Sequence, residues 1–320
     1  MSIPAPASHA NDGVHTITYY STDTAGNVEL TETTTVRIDT AAPTTTASNL
    51  QATNNSGWSN AAVTVTLAAA DSGGSGLGGT TYQIDGGAPA TYGGPFTVSA
   101  PGSHAIVYHS TDAAGNTGAT GGGYVNIDGS LPVTTDNAPA GWKNSAQTVT
   151  LSPSDSGGSG LASTLYKVDG GSYTAGRSVS IPAPASHAND GVHTITYYST
   201  GVGGNTEAPH SCTVRIDTRA ATIALAAFKY KAGKLAVAYR INSVALTTAN
   251  GGWATVKLTV DSAKSRKVVK TFVQLQKPVN AKQKLSLKIK LAKGAYTVKV
   301  SATDAAGNVS AIKAVKLTVK

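Results

Sequence analysis

Short stretches of alternating apolar and polar residues run along this chain. Residues 15–19, 63–67 and 81–84 alternate with a period of two and are rich in β-branched and aromatic residues, as strands are. Turn clusters rich in glycine, serine, aspartate and asparagine separate them, and glycine supplies the positive φ that tight turns need. No stretch keeps a helical period, so the sequence predicts an all-β protein.

The pattern is also copied along the chain. Residues 2–22 recur unchanged as residues 180–200, and Trp58 has a counterpart in Trp142. Self-similarity of this kind is the signature of an array of modules. We divide the chain into a partial module (the C-terminal half), two full Ig-like modules and a divergent, lysine-rich Ig-like or fibronectin-III-like module, with boundaries at 1–42, 43–130, 131–219 and 220–320.

Each full module holds about seven short strands, the number expected of an Ig-like sandwich. The predicted fold class is therefore all-β, with tandem Ig-like antiparallel β-sandwich modules. The partial module predicts a hairpin with an unpaired edge, through which the chain could associate with itself. Because Met1 stands directly before the middle of a module, we interpret the chain as a fragment of a longer protein.

The composition narrows the classes of protein. Charged residues make up 13% of the chain and aromatic residues 6%, but the alternating pattern favours folded, modest cores over disorder. Cys212 is the only cysteine, so no disulfide forms within the chain and stability must come from packing or ions. No signal peptide is visible, and no apolar run approaches the ~20 residues of a membrane span.

The net charge of +8 hides a division between two parts of the chain. Residues 1–220 hold 6 Lys/Arg and 15 Asp/Glu, whereas residues 221–320 hold 19 Lys/Arg and 2 acids. In this last part the lysines follow the strand period, with one apolar face and one cationic face. The candidates for binding an anionic polymer are Lys284, Lys288, Lys290 and Lys299. The alternative is a solvated face that guards a strand edge against aggregation.

A recurring motif joins the repeats to a known family. Residues 20–29 and 36–43 read YSTDTAGNVE and VRIDTAAP, and 109–116 and 302–308 repeat the Asp-x-Ala-Gly-Asn element. This pattern resembles the bacterial Ig-like repeats of large secreted and surface-anchored proteins, including a repeat type named as a β-barrel module after a spirochaete outer-surface protein. The resemblance implies adhesion, spacing or surface display at an extracellular location, sometimes as accessory modules on secreted enzymes. It names no ligand.

Seven aspartates follow the repeat. The Asp-x-Ala-Gly-Asn element joins the last two strands of a module, and the loop between its second and third strands lies at the same pole of an Ig-like sandwich. The Ile-Asp that ends each last strand lies at the opposite pole, next to the following module. Head-to-tail stacking would gather Asp39 with Asp71 and Asp112, Asp128 with Asp155, and Asp217 with Asp304.

Two interpretations of these aspartates stay open. Calcium takes six to eight oxygen ligands, largely carboxylates and carbonyls, so the junctions are candidate Ca²⁺ sites. Alternatively, each aspartate caps the N–H groups of its own glycine-containing turn. The third module has Gly201 where the others have aspartate. Calcium binding predicts that this second junction is the weakest, whereas turn capping predicts a local effect only.

Two tryptophans and the histidines recur as well. Trp58 and Trp142 open a strand, where a ring is either a lid on the core or a platform for sugar stacking. The histidines begin matching strands without convergent ligands, which favours a structural role. The Gly/Ser runs lack the Gly-Lys-Ser/Thr of a phosphate loop, and no motif predicts sequence-specific nucleic-acid recognition.

The sequence therefore predicts a non-catalytic extracellular or cell-surface repeat protein, a structural spacer or adhesive arm. Its basic last module would attach to an anionic glycan, another extracellular polymer, or a host or neighbouring cell surface. The alternative is a carbohydrate-binding accessory region of a secreted glycan-active enzyme, for which exposed rings at Trp58 and Trp142 would be required.

Overall fold

A computed structural model describes residues 2–244 and 252–320, and these residues form strands, turns and loops. None of them belongs to a helix that is long and apolar enough to cross a membrane. The chain divides into two compact units, each built from three segments. The first comprises Met1–Val133, Ser154–Ala162 and Ser199–Glu207, and the second Thr134–Pro153, Ser163–Tyr198 and Ala208–Lys320.

The first 40 residues contain one antiparallel hairpin, β1 (Gly13–Tyr19) and β2 (Glu32–Ile38), in which Gly13 pairs with Ile38 and Tyr19 with Glu32. The apolar side chains of this hairpin are poorly covered. Tyr19 is 51% exposed and Val36 is 38% exposed.

Residues 44–127 form two sheets, with strand orders β3-β4-β7 and β6-β5-β8-β9. Every pairing in them is antiparallel. The two sheets bury a core around Val65, Ile106 and Val125, which leave at most 1% of their surface exposed. The strands are β3 (Thr44–Ser48), β4 (Val63–Ala70), β5 (Leu77–Ile84), β6 (Ala90–Thr91), β7 (Phe96–Val98), β8 (Gly102–Asp112) and β9 (Gly121–Ile127).

Residues 133–216 repeat this arrangement, with strand orders β10-β12-β15 and β11-β17-β16-β13-β14. The core includes Val149, Ile195 and Val214. One short pairing is parallel, that of β11 with the end of β17. The strands are β10 (Val133–Asp136), β11 (Trp142–Lys143), β12 (Gln147–Ser154), β13 (Leu161–Val168), β14 (Thr174–Ala175), β15 (Ser178–Ile181), β16 (Gly191–Gly201) and β17 (His210–Ile216).

Residues 222–319 form a third pair of sheets, with strand orders β18-β19-β22 and β21-β20-β23-β24. Their core includes Leu235, Ile241 and Val260, all fully buried. The strands are β18 (Thr222–Lys231), β19 (Lys234–Asn242), β20 (Trp253–Ser262), β21 (Val268–Pro278), β22 (Lys282–Lys288), β23 (Gly294–Asp304) and β24 (Lys313–Val319).

These sheets confirm the predicted fold class of tandem Ig-like β-sandwich modules. The alternating stretches of the sequence are strands β1, β4 and β5, and along β4 covered and exposed side chains alternate as the period of two requires. The same sequence also meets two different surroundings. Ile195 and Tyr197 are 0% and 3% exposed, while Tyr19, the identical counterpart of Tyr197, is half exposed because the described residues supply no second sheet over the hairpin.

Two histidines tie adjacent strands together. His104 Nδ1 lies 2.7 Å from Asp85 Oδ2 and its Nε2 lies 2.9 Å from the Ala100 carbonyl. The hydrogen bond to Asp85 is the main cause that raises the pKa of His104, and the same bond lowers the pKa of Asp85. His193 makes the equivalent pair with Asp169, at 2.7 Å. Each imidazolium therefore joins the start of a long strand to the turn of its neighbour, which is the structural role that the sequence predicts.

The His104–Asp85 pair predicts a pH-dependent stability. Because the pKa of folded His104 lies above 6.5, the pair stabilises fully below that pH and its contribution is lost as pH rises through the folded value. We expect His104→Gln to lose less melting temperature than the parent between pH 5.5 and pH 8.5. The corresponding difference in the free energy of unfolding should be less than about 1 kcal/mol, since Asp85 is half exposed. His15→Gln is the control, because His15 has no carboxylate partner among the described residues. Identical pH profiles for the parent and His104→Gln would contradict the prediction.

Candidate functional site

The same hydrogen bond occurs at three places along the chain. The side-chain amide of Asn116 donates to the main-chain carbonyl of Asp39 at 3.0 Å, and that of Asn308 donates to the carbonyl of Asp217 at 2.8 Å. Asn205 donates in the same way to the carbonyl of Asp128. Each asparagine comes from a Gly-Asn turn, and each carbonyl belongs to the Ile-Asp after the last strand of the preceding sheets. We call these three contacts the asparagine clasps.

The turn presents the asparagine in a fixed orientation. In the first clasp, Asp112 Oδ1 accepts the Asn116 main-chain N–H at 2.7 Å, and its Oδ2 accepts from Asn116 Nδ2 at 2.7 Å. Asp304 accepts the Asn308 N–H at 2.9 Å in the third clasp. The aspartate of the Asp-x-Ala-Gly-Asn motif thus caps its own turn and holds the asparagine amide in place for the clasp.

The side chain of the Ile-Asp residue makes a second connection. Asp39 Oδ2 accepts the N–H of Ser75 at 2.8 Å, and Asp128 Oδ2 accepts the N–H of Ser159 at 3.1 Å. Burial would raise the pKa of Asp128, but hydrogen bonds from Ser159 and Ser130 outweigh it, and the pKa is lowered. Each of these two aspartates therefore accepts two hydrogen bonds from the next module. Its carboxylate accepts from the Gly/Ser loop, and its main-chain carbonyl accepts from the Gly-Asn turn.

Glycine in that loop leaves space for a carboxylate. A Cβ at Gly73 would lie 1.7 Å from Asp39 Oδ1, and one at Gly157 would lie 1.6 Å from Asp128 Oδ1. Both distances are far shorter than any real carbon–oxygen contact. The carboxylate of the preceding Ile-Asp thus occupies the volume that a side chain would take.

The first junction gathers three carboxylates. One oxygen from each of Asp39, Asp71 and Asp112 lies within 4.8 Å of the others. Asp112 is 3% exposed, while Asp39 and Asp71 are half-buried. Asp71 also accepts the N–H of Gly76 at 2.9 Å, so each carboxylate caps a turn in addition to facing the other two. These carboxylates can therefore cap their own turns and face a cation at the same time.

The second junction has two carboxylates, because Gly201 stands where Asp112 stands in the preceding repeat. Asp155 Oδ2 lies 2.7 Å from the position of a Cβ on Gly201. The carboxylate of Asp155 therefore lies close to the space that a side chain on Gly201 would take. Asn205 is 8% exposed and keeps its clasp without the aspartate cap.

The third junction is the most deeply buried. Asp217 is fully buried and Asp304 is 6% exposed. Burial, and then the charges of Asp304 and Asp190, raise the pKa of Asp217 to about 6, and burial raises the pKa of Asp304. Asp217 Oδ2 accepts no hydrogen bond from the residues that the structure describes. This pair thus repels when both groups are ionised.

Both candidate sugar-binding tryptophans lie at junctions. Trp142 is 8% exposed and packs in the core cluster formed with residues 221–317. The ring of Trp58 is half-buried and lies 3.3 Å from the position of a Cβ on Gly158. β11 places Trp142 by pairing with the end of β17, and Ser59 bridges Ile127 in the same parallel sense. The ring of Trp142 is therefore not available as a sugar platform.

The candidate lysines fall into two places. Lys284, Lys288 and Lys290 are exposed on or just after β22. Lys299 lies on β23 in the other sheet, and its Nζ is 2.6 Å from Asp261 Oδ2. The structure brings the first three together and leaves Lys299 out. An alternating sequence gives the face of a strand, but it does not give the sheet to which the strand belongs.

The asparagines were not among the residues that sequence reasoning selected. The signal was present, because Gly-Asn recurs in every repeat at the turn before the last strand. The aspartate of the same motif has the more obvious side-chain chemistry. The partner of the asparagine is a main-chain carbonyl, which leaves no trace in side-chain identity.

The clasp predicts a loss of local stability when the asparagine is removed. In Asn116→Ala, the Asp39 carbonyl and Asp112 lose a donor in a part-buried place, so the free energy of opening should fall by about 1–3 kcal/mol. Hydrogen exchange of the amides in residues 39–43 and 71–76 should become faster.

Asn27→Ala is a matched control. Asn27 occupies the same turn and donates to Asp23 at 2.8 Å, but its described contacts include no Ile-Asp carbonyl. This variant should leave exchange in residues 39–43 unchanged. Equal exchange at residues 39–43 in the parent and Asn116→Ala would show that the clasp does not hold the junction.

No protein-family model matches the sequence, and no curated protein matches it. Among solved structures, the chain is similar to fibronectin(III)-like modules of Clostridium thermocellum CbhA (13% identity, TM-score 0.31, 54% of this chain and 94% of that one). It is similar to the FN1–FN3 domains of chicken CNTN1 (11% identity, TM-score 0.30, 87% and 98%). It is also similar to a 1.5-MDa bacterial ice-binding adhesin studied for host cell surface retention (17% identity, TM-score 0.32, 81% and 90%). The likeness to these proteins concerns the fold alone.

Proposed function

We propose that this chain is a non-catalytic repeat protein of the extracellular space or cell surface, a spacer or adhesive arm with a basic last module that attaches to anionic surfaces. One observation carries the proposal: the asparagine clasp recurs at three junctions with the same donor and the same acceptor. A contact that is repeated once per module serves the array rather than a single reaction.

The location of the clasps supports the same conclusion. Loops at the poles of β-sandwiches are common places for binding and catalysis, because a rigid scaffold positions them. Here the loops around Ser75 and Ser159 and the Gly-Asn turns donate hydrogen bonds to the Ile-Asp residues at the junctions. We infer that modules 1–42, 43–130, 131–219 and 220–320 are the units of the array, with one clasp at each boundary.

An extracellular location follows from the proposal and from the resemblance of the repeats to secreted bacterial Ig-like modules. The alternative of a carbohydrate-binding accessory region that stacks sugars on its tryptophans is not favoured, since the Trp142 ring packs in a core. Trp58 also faces a glycine loop at a junction.

We further propose that the first junction takes a calcium ion. Three converging carboxylates, with one oxygen each within 4.8 Å of the others, repel one another unless a cation lies near them. Calcium prefers six to eight oxygen ligands, largely carboxylates and carbonyls, and the three carboxylates would supply part of that set. The second junction, with Gly201 in place of the third aspartate, should bind more weakly.

One experiment tests the spacer and the calcium site separately. We expect the full chain, measured by small-angle scattering in chelator, to fit a narrow set of conformers because the clasps need no ion. With calcium the melting temperature should rise, and Asp112→Asn should abolish that rise by removing a charge from the site.

The outcomes are distinguishable. Scattering that requires a broad ensemble in chelator would contradict the spacer proposal. An unchanged melting temperature with and without calcium would contradict the metal site alone and leave Asp39, Asp71 and Asp112 as turn caps.

The uncovered hairpin supports a proposal of self-association. Tyr19 and Val36 are 51% and 38% exposed, whereas their counterparts Tyr197 and Val214 are 3% and 0% exposed in a complete core. We propose that the apolar face of residues 13–38 associates with the same face of a second copy.

Sedimentation velocity over a range of concentrations tests this association. We expect concentration-dependent oligomers for the full chain, and a monomer for Tyr19→Ser/Val36→Ser. The matched control is Val192→Ser, which changes an exposed valine (48%) of a module that has a complete core. This variant should keep the association. A full chain that stays monomeric at every concentration would contradict the proposal.

A further inference from the structure

The three-stranded sheet of the last module has a basic outer face. Strands β18, β19 and β22 turn their apolar residues, such as Leu235 and Leu287, into the core. The residues that alternate with them point outward and are exposed. The basic members of this outer face are Lys229, Lys231, Lys234, Arg240, Lys282, Lys284 and Lys288.

Like charges stand directly opposite one another on this face. Lys234 pairs with Lys288, and Arg240 pairs with Lys282, in the register of β19 and β22. Lys231 pairs with Lys234 across the turn from β18. Like charges in directly opposed positions of a sheet destabilise it.

Nothing in these strands offsets the repulsion. The segments 222–242 and 282–288 contain no Asp or Glu. The two acids of the last module, Asp261 and Asp304, lie on β20 and β23 in the other sheet. No ion pair forms on this outer face among residues 2–244 and 252–320. Among the described residues no carboxylate offsets this repulsion, and a bound polyanion would relieve it.

The centre of the face is a shallow groove lined by small side chains. Ala227, Ala236, Ala238 and Ser286 form a floor between the basic residues, in a groove of about 390 Å³ that Lys229 and Lys284 border. In register, Ala238 lies opposite Lys284 and Ala236 lies opposite Ser286. Small residues let an extended polymer approach the sheet, with ammonium groups on both sides of it.

We propose that this face is the binding site for an anionic polysaccharide, which rests on the proposed role of the last module in attachment. The polymer lies over the alanine and serine floor, and lysines of all three strands contact its carboxylate or sulfate groups. Lys229 and Lys231 on β18, and Lys282 and Lys284 on β22, are each two residues apart, which is about 6.8 Å or twice the rise of an antiparallel strand. Charges repeated along one polymer chain match that spacing in a way that isolated anions do not.

A glycan fits this face better than a nucleic acid. Lysine acts as a point charge, whereas arginine is preferred where phosphate is bound through two parallel hydrogen bonds. Single-stranded nucleic acids are held by stacking on exposed aromatic rings. The aromatic residues of β18 and β19, Phe228, Tyr230 and Tyr239, pack in or against the core.

The test compares two triple variants of the full chain that carry the same change in net charge. Lys234→Gln/Lys284→Gln/Lys288→Gln removes charge from the proposed face. The control Lys257→Gln/Lys313→Gln/Lys316→Gln removes three exposed lysines from β20 and β24 in the other sheet. Polygalacturonate and heparin are the carboxylate and sulfate probes, and double-stranded DNA is the probe for the other class.

We expect the face variant to bind the better of the two glycans about tenfold more weakly, and the control to stay within about twofold of the parent. Binding by the parent should weaken with added salt, and the face variant should respond less steeply. The melting temperature of the face variant should not fall, because opposed like charges are removed. This measurement separates lost contacts from lost folding.

Three results would overturn the inference. Equal weakening in both variants would show attraction by overall charge, and the attachment role would then stand without this site. Tighter binding of DNA than of either glycan at equal salt would exclude a polysaccharide site. No salt-sensitive binding of any probe by the parent would remove the attachment role as well.

Discussion

The junctions of this chain depend on one hydrogen bond, from an asparagine side-chain amide to the main-chain carbonyl of the Ile-Asp before it. A main-chain carbonyl cannot be altered by mutation, so the acceptor persists whatever side chain the position carries. The donor needs only one residue in one turn. In the second junction the clasp with Asn205 is kept even though Gly201 has replaced the aspartate cap. The clasp is the constant part of the junction and the carboxylates are its variable part.

The burial of the junction carboxylates varies along the chain. Asp39 and Asp71 are half-buried, whereas Asp217 is fully buried and its pKa is raised to about 6. Burial therefore opposes the ionisation of Asp217 at the third junction, whereas three carboxylates converge at the first. The three junctions share a geometry and differ in their electrostatics, in keeping with an acidic first part and a strongly basic last part.

Sequence periodicity predicted the strands and the fold class because alternation reports directly on which side chains face a core. It predicted the neighbourhood of Asp39, Asp71 and Asp112 because turns at one pole of a sandwich follow from strand order alone. It did not predict the asparagine clasps, since the acceptor is main chain. It also placed Lys299 with the other lysines, although its pairing with Asp261 depends on which sheet β23 joins. Identical residues, such as Tyr19 and Tyr197, show the limit most directly: the sequence is the same and the burial is set by what packs against it.

The glycines at 73 and 157 have a consequence for reading other chains of this kind. Neither has a positive φ, so the backbone alone would accept any residue there. They are glycine because the carboxylate of the module before them fills the space of a side chain. A glycine at this position in a related repeat thus indicates that the carboxylate of a preceding module packs against it. A larger residue there would indicate a repeat with no module docked in front of it.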